Sequence, residues 1–175
     1  MVCELIALAS VMAHGDLGVV LNKKIKDEDR PGVLLKMLEK VHQECYPRPF
    51  RQILNAQGEP TNIADITAGF LTRDELPKLY GICGNELHQG TLEKIGRYPQ
   101  TGDSYKIILS WYEKILQLLG MHKIKVYNST AEIWVGMENA QTKQPFWSFM
   151  EKLTPEQVEE LRKKGVIPGM AALRR

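Results

Sequence analysis

The fold of this chain is decided by a helix-then-strand pattern in its second half, where the sequence reads DSYKIILSWYEKILQLLG (103–120) and then MHKIKVYNSTAEIWVGM (121–137). In the first stretch apolar residues recur every three or four positions, which predicts an amphipathic helix that ends at Gly120. Leu109 and Leu116 lie off this apolar stripe. Their positions predict that the helix is covered on more than one side.

Strands are predicted directly after this helix. Apolar and polar residues alternate in residues 123–127 and again in residues 133–137, which is the period of a half-buried strand. A third short apolar run spans residues 146–150. Together the three runs predict an antiparallel meander that packs on the helix at 103–120.

Further helices are predicted in the first half of the chain. An apolar run at residues 5–13 predicts a core helix, and Pro31 marks the first turn of a second helix. A third helix is capped by either Thr72 or Asp74. We prefer Asp74, because a cap at that residue places Pro77 where no intrahelical N–H donor is needed.

The remaining elements complete a fold of the α+β class. A turn signal at residues 57–60 lies between two apolar segments and predicts a small hairpin or an ordered loop. Residues 154–157 carry a capping pattern and predict a last helix. The sequence therefore predicts one domain over residues 1–175, mainly helical, with a small C-terminal antiparallel β-meander packed on a long helix.

Composition excludes several classes of protein. The chain has 23 Lys and Arg against 21 Asp and Glu, a net charge of +2 that is too balanced to indicate nucleic acid or a membrane surface. The apolar run at residues 5–13 is shorter than the ~20 residues of a membrane helix, which predicts no membrane association. Three cysteines, an odd number without a CxxC pair, indicate a reducing compartment, and we predict a cytoplasmic protein.

No metal or cofactor is predicted. His42 and Cys45 are the best local pair of candidate zinc ligands, but no second pair completes a four-ligand site. The sequence contains no P-loop, no dinucleotide-binding fingerprint, no HExxH and no GxSxG. Most familiar enzyme classes lose support accordingly.

One helical segment is a candidate active site. Residues 80–88 read YGICGNELH, and two glycines inside a helix cost about 1 kcal/mol each relative to alanine. The functional interpretation makes His88 a general acid or base, with Asn85 one turn earlier orienting it or a phosphate. The alternative is structural, in which Gly81 and Gly84 permit close packing of another helix.

A nucleic-acid interface is the second kind of candidate site. Arg48, Arg51 and Arg73 could together bind phosphates, although arginines in a charge-balanced chain are more often solvated surface residues. Aromatic residues on the predicted meander could form a base-stacking platform, or could pack on the preceding helix. These aromatic residues are Trp134, Trp147 and Phe149.

The segment at residues 79–90, LYGICGNELHQG, resembles a group of small uncharacterised bacterial proteins, as do residues 38–42 and 46–47. A more distant likeness is to HEPN domains, helical modules of bacterial immunity and toxin systems, many of them ribonucleases. Their motif places an Arg, usually followed by Asn, before a His on one helix. Asn85 and His88 match its polar part, whereas Gly84 stands where the Arg belongs.

These observations predict a bacterial, non-enzymatic interaction or accessory module, attached to a defence or regulatory system. Its expected partner is another protein or a second copy of the chain. The alternative is a HEPN-like ribonuclease or RNA-binding protein that uses His88 and Asn85, with nucleic acid as its partner.

Overall fold

The computed structural model describes residues 2–14, 28–58, 60–87, 103–139, 142–151 and 153–164. The helices within these ranges are α1 (Val2–Met12), α2 (Pro31–Glu39), α3 (Leu76–Leu87), α4 (Asp103–Leu119) and α5 (Pro155–Lys163). The strands are β1 (Arg48–Leu54), β2 (Pro60–Asp65), β3 (Met121–Lys125), β4 (Glu132–Gly136) and β5 (Phe146–Met150).

All five strands belong to one antiparallel sheet, in the order β2-β1-β3-β4-β5. The α+β class and the three strands of the meander agree with the sequence analysis. The prediction of a small sheet confined to the C-terminal part is wrong, because the β1–β2 hairpin joins the meander edge to edge. The residues that pair at this junction, 48 with 123 and 49 with 122, are 75 and 73 positions apart in the chain, and no local sequence pattern signals such a contact.

The junction between hairpin and meander is narrow. Only two residue pairs join β1 to β3, Arg48 with Lys123 and Pro49 with His122. Pro49 has no N–H to donate, and its carbonyl accepts a hydrogen bond from the backbone N–H of Ile66 at 3.0 Å. The backbone therefore contributes little to holding the two parts of the sheet together.

Side chains on one face of the sheet bridge the same junction. Lys123 Nζ lies 2.7 Å from Asp65 Oδ1, and Arg48 Nη2 lies 2.7 Å from Glu132 Oε1. The ring of Phe50 packs against Trp134, with centroids 4.8 Å apart. Phe50 is buried, and its contact with Trp134 extends the core across the junction.

The hydrophobic core lies among the helices and the start of the sheet. Leu34 and Leu35 of α2 are buried together with Leu71, which precedes α3, and Leu118 of α4. α1 contributes Cys3, Ile6 and Ala7 to the same cluster, and α3 contributes Leu76 and Leu79. On the sheet side, α4 packs against β1 and β3.

Pro31 lies in the first turn of α2, as predicted, but the buried face of this helix differs from the expected one. The sequence pattern predicts an apolar face made of Val33, Leu34, Met37, Leu38 and Val41. In the structure Leu34, Leu35 and Leu38 are buried, whereas Val41 is exposed. The helix ends at Glu39, so Val41 lies beyond it and does not follow the helical period.

At the N-terminus of α3 the structure contains the Thr72 capping box. The cap at Asp74, which the sequence analysis prefers, is wrong. Both the backbone N–H and the hydroxyl of Thr72 donate to Glu75 Oε2, at 3.1 and 3.0 Å. A turn over residues 73–75 precedes the helix, so Pro77 occupies its second residue, where its missing N–H is harmless. Lys114 on α4 also binds Glu75 and lowers the pKa of that carboxyl, which ties α3 to α4.

Strand β5 lies at an edge of the sheet. Its Phe146 ring covers the backbone of Gly136 on β4, in the space that a Cβ at that position would occupy. Its other aromatic residues, Trp147 and Phe149, are exposed and form an edge-to-face pair with centroids 5.7 Å apart. The expected packing of these residues on the 103–120 helix is therefore wrong.

Candidate interaction surface

The candidate catalytic pair falls at the boundary of the described structure. His88 lies outside the described residues. The backbone of Asn85 belongs to the last turns of α3, but its side chain is not among those described. The proposed catalytic roles of His88 and Asn85 therefore remain predictions.

Within the part of the chain that the structure describes, no other helix contacts the two glycines of α3. Among the described residues, no heavy atom outside the helix backbone would lie within 4 Å of a Cβ at Gly81 or at Gly84. The structural alternative, close packing of a helix against these glycines, is thus not found within the described ranges. This strip of α3 is instead open backbone, next to the position of Asn85.

The three candidate phosphate-binding arginines have different surroundings. Arg48 contacts two carboxylates, Glu44 Oε1 at 3.1 Å and Glu132 Oε1 at 2.7 Å. Arg73 forms paired hydrogen bonds with Glu39, and this contact raises its pKa. Arg51 is exposed on β1. Two of the three guanidinium groups are therefore neutralised by carboxylates of the chain itself.

An apolar groove with a volume of about 470 Å³ lies between α1, α3 and α4. Its walls are built almost entirely from hydrocarbon side chains, and its rim carries the exposed residues Ile82, Ile107 and Ile108. We call it the α1–α3–α4 groove. Its lining residues are Val2, Cys3, Leu79, Tyr80, Ile82, Cys83, Ile107, Ile108, Trp111, Tyr112 and Ile115.

The helical period of each wall explains why the groove is apolar. On α3, Leu79, Ile82 and Cys83 follow one another at three- and four-residue spacing. On α4, Ile108, Trp111 and Ile115 do the same. Leu79 and Ile115 pack in the core, while Ile107 and Ile108, nearer the N-terminus of α4, are exposed.

The three cysteines have different environments. Cys3 and Cys45 are buried, and burial raises the pKa of each thiol to about 11. These two thiols are therefore protonated and unreactive near neutral pH. Cys83 is exposed in the groove wall, so it is the accessible thiol of the chain.

A pair of histidines, His14 buried and His42 half-buried, lies at the far end of α1. The rings of His14 and His42 meet edge to face, with centroids 4.8 Å apart, and His42 Nε2 donates to the backbone carbonyl of Lys125 at 3.0 Å. His14 is 3% exposed, and neither of its ring nitrogens has a hydrogen-bond partner among the described residues. Burial, with the facing His42, lowers the pKa of His14 to about 4.

Among the described residues, no group of three His, Cys, Asp or Glu side chains could hold a metal ion. No helix within the same ranges is long and apolar enough to cross a membrane. No family model matches the sequence, and comparisons with curated proteins and with solved structures found no match.

Sequence reasoning missed the groove because its residues come from three helices far apart in the chain. The signal for the groove in the sequence was the excess of apolar residues on α4, which predicts that this helix is covered on more than one side. Within the described structure, the protein itself does not supply that cover, since Leu109 and Leu116 are exposed. The burial of His14 likewise has no signature in the sequence.

Proposed function

We propose that this protein is a non-enzymatic interaction module that binds an apolar helical segment of another protein in the α1–α3–α4 groove. The observation that carries the proposal is the α1–α3–α4 groove itself, whose walls are apolar and whose rim exposes Ile82 and Ile107 to solvent. Contiguous exposed apolar surface of this kind marks an interaction site more often than a structural feature.

The chemistry of the groove favours a protein segment over a small metabolite. Small-molecule sites combine apolar walls with several polar groups that orient the ligand. In this groove the polar side-chain atoms are limited to thiols, two tyrosine hydroxyls and the indole N–H of Trp111. An amphipathic helix needs no more than this, because it binds by inserting apolar side chains at three- and four-residue spacing.

The test uses an apolar fluorescent dye, bis-ANS, and a synthetic amphipathic peptide with leucine at every a and d position. We expect the dye to bind the wild type with increased fluorescence and the peptide to displace it. Ile82→Glu and Ile107→Glu should each weaken binding about tenfold, because a buried carboxylate costs at least the 1.4 kcal/mol of that factor.

The matched control is Ile53→Glu, since Ile53 is equally exposed but lies on β1. Dye binding that is the same in all three variants would show that the groove is not the site. Dye that binds in the groove but is not displaced by the peptide would indicate a small-molecule pocket, and would contradict the proposal.

A ribonuclease or RNA-binding activity at His88 and Asn85 is the second candidate function. The open backbone at Gly81 and Gly84 supports it, because a ligand can approach α3 closely on that side. The residue that would stabilise charge on a scissile phosphate is missing, however, since Gly84 replaces the Arg of the HEPN motif.

Incubation with a labelled single-stranded RNA tests this second function. If His88 is the general acid or base, the wild type should cleave the RNA and His88→Ala should lose at least about 100-fold in rate. Asn85→Ala should lose less of the cleavage rate. Arg51→Ala is the control, because it removes a candidate phosphate-binding side chain but leaves the catalytic histidine in place. Equal cleavage by wild type and His88→Ala, or none by either, would exclude the catalytic role.

A further inference from the structure

Helix α4 carries a second apolar stripe that faces away from the core. The stripe consists of Tyr105, Leu109, Tyr112 and Leu116, which are spaced by four, three and four residues. Tyr112 and Leu116 are 54% and 51% exposed, and Tyr105 is more exposed still. Alternating spacings of three and four are those of the a and d positions of a coiled coil.

This stripe is distinct from the side of α4 that packs on the protein. Trp111, Ile115 and Leu118 contact the core. At 100° per residue, the exposed stripe is centred about 120° around the helix from these residues. The α4 helix is therefore built to pack on two sides, and within the described structure one of the two is unoccupied.

We infer that the exposed stripe of α4 binds the same stripe of a second copy of this chain, with the two helices antiparallel. The spacing of four, three and four residues along the stripe is the same when the helix is reversed. Reversal exchanges the positions of tyrosine and leucine, so each tyrosine of one helix meets a leucine of the other. In an antiparallel pair, Tyr105 packs on the partner's Leu116, and Leu109 packs on the partner's Tyr112. A two-fold axis between the helices repeats each contact, as an isologous interface requires.

Charges beside the stripe match the same arrangement. Lys106 and Glu113 lie one heptad apart on the same flank of α4, at the e positions of the coiled-coil repeat. In an antiparallel pair the e positions of the two helices face one another, so Lys106 lies beside the partner's Glu113. In a parallel pair Glu113 would instead face the partner's Ile108 at a g position, and the e positions of the two helices would lie on opposite sides of the stripe. The charges therefore favour the antiparallel dimer and a second copy over an unrelated helix.

The dimer goes beyond the proposed function, because it uses a different side of α4 from the groove. The two surfaces share Tyr112 at their border. Leu109 and Leu116 belong to the stripe, and Ile82 and Ile107 belong to the groove. Substitutions at these four residues therefore test the two proposals separately.

Sedimentation equilibrium of the full chain tests the inference. We expect the wild type to have twice the 19.9 kDa mass of the chain at micromolar concentration. The double variant Leu109→Glu with Leu116→Glu should be monomeric, with a dimer dissociation constant at least about 100-fold higher. Ile82→Glu in the groove is the matched control and should remain dimeric. Circular dichroism confirms that each variant is folded.

Charge reversal provides a second test that does not disturb apolar packing. Lys106→Glu should weaken the dimer about tenfold, and adding Glu113→Lys should restore it. Zero-length carbodiimide cross-linking should join Lys106 to the partner's Glu113, whereas within one helix these residues are about 10 Å apart. A monomeric wild type, a dimer unaffected by the leucine substitutions, or a double charge variant without recovery would each overturn the inference.

Discussion

Replacement of Leu35 by alanine is expected to lower the free energy of unfolding by about 3 kcal/mol, within the range of 2–5 kcal/mol for buried leucines. Leu35 is completely buried, in the cluster where α2 meets residues of α1, α3 and α4. Removing its isobutyl group loses the transfer free energy of the side chain and leaves a cavity between helices that other contacts hold in place.

Urea unfolding followed by circular dichroism measures this loss. The matched control is Leu5→Ala on α1, because Leu5 is 58% exposed and the change should cost less than about 0.5 kcal/mol. The comparison tests which faces of the helices form the core, and in particular whether α2 buries Leu35. Similar losses in the two variants would contradict the packing described here.

The protein is expected to lose about 2–3 kcal/mol of stability through His14 when the pH falls from 7.5 to 4.5. The ordinary pKa of the imidazole is 6.5, and in the folded protein burial lowers it to about 4. Between these two values the unfolded chain takes up a proton that the folded protein does not. The contribution of His14 to the free energy of unfolding is therefore fully present above pH 6.5 and is lost progressively as the pH falls toward 4.

Unfolding free energies of wild type and His14→Phe at several pH values test this expectation. Phenylalanine keeps an aromatic ring against His42 but cannot be protonated, so the variant should lose clearly less stability on acidification. Burial also lowers the pKa of His122, which contributes in the same direction in both proteins. The readout is accordingly the difference between the two pH profiles. Parallel profiles would show that His14 does not control the acid sensitivity.

The sequence predicted the elements of the fold better than their assembly. The three strands of the meander and the helix at 103–120 have strong local periodicity, and the structure contains all of them. The edge-to-edge pairing of β1 with β3 depends on a contact between distant segments, for which the sequence has no local signal. The predicted apolar face of α2 differs from the buried face because the prediction includes Val41, which lies past the end of the helix at Glu39.

The candidate site was predictable only in part. The excess of apolar residues on α4 was visible in the sequence, but which of them the protein covers depends on where α1 and α3 end. The arginine patch was suggested by residue type, whereas the carboxylates that bind Arg48 and Arg73 come from Glu44, Glu132 and Glu39. Sequence position does not reveal such ion pairs.

The narrow junction between β1 and β3 has a mechanical consequence. A sheet resists bending along its continuous ladders of backbone hydrogen bonds, and here the ladder is shortest where Pro49 interrupts it. The Lys123–Asp65 and Arg48–Glu132 ion pairs and the Phe50–Trp134 contact span this line with side chains, which can slide and rotate. We therefore expect the sheet to bend more easily along the line between β1 and β3 than within the hairpin or the meander, where the backbone pairing is longer.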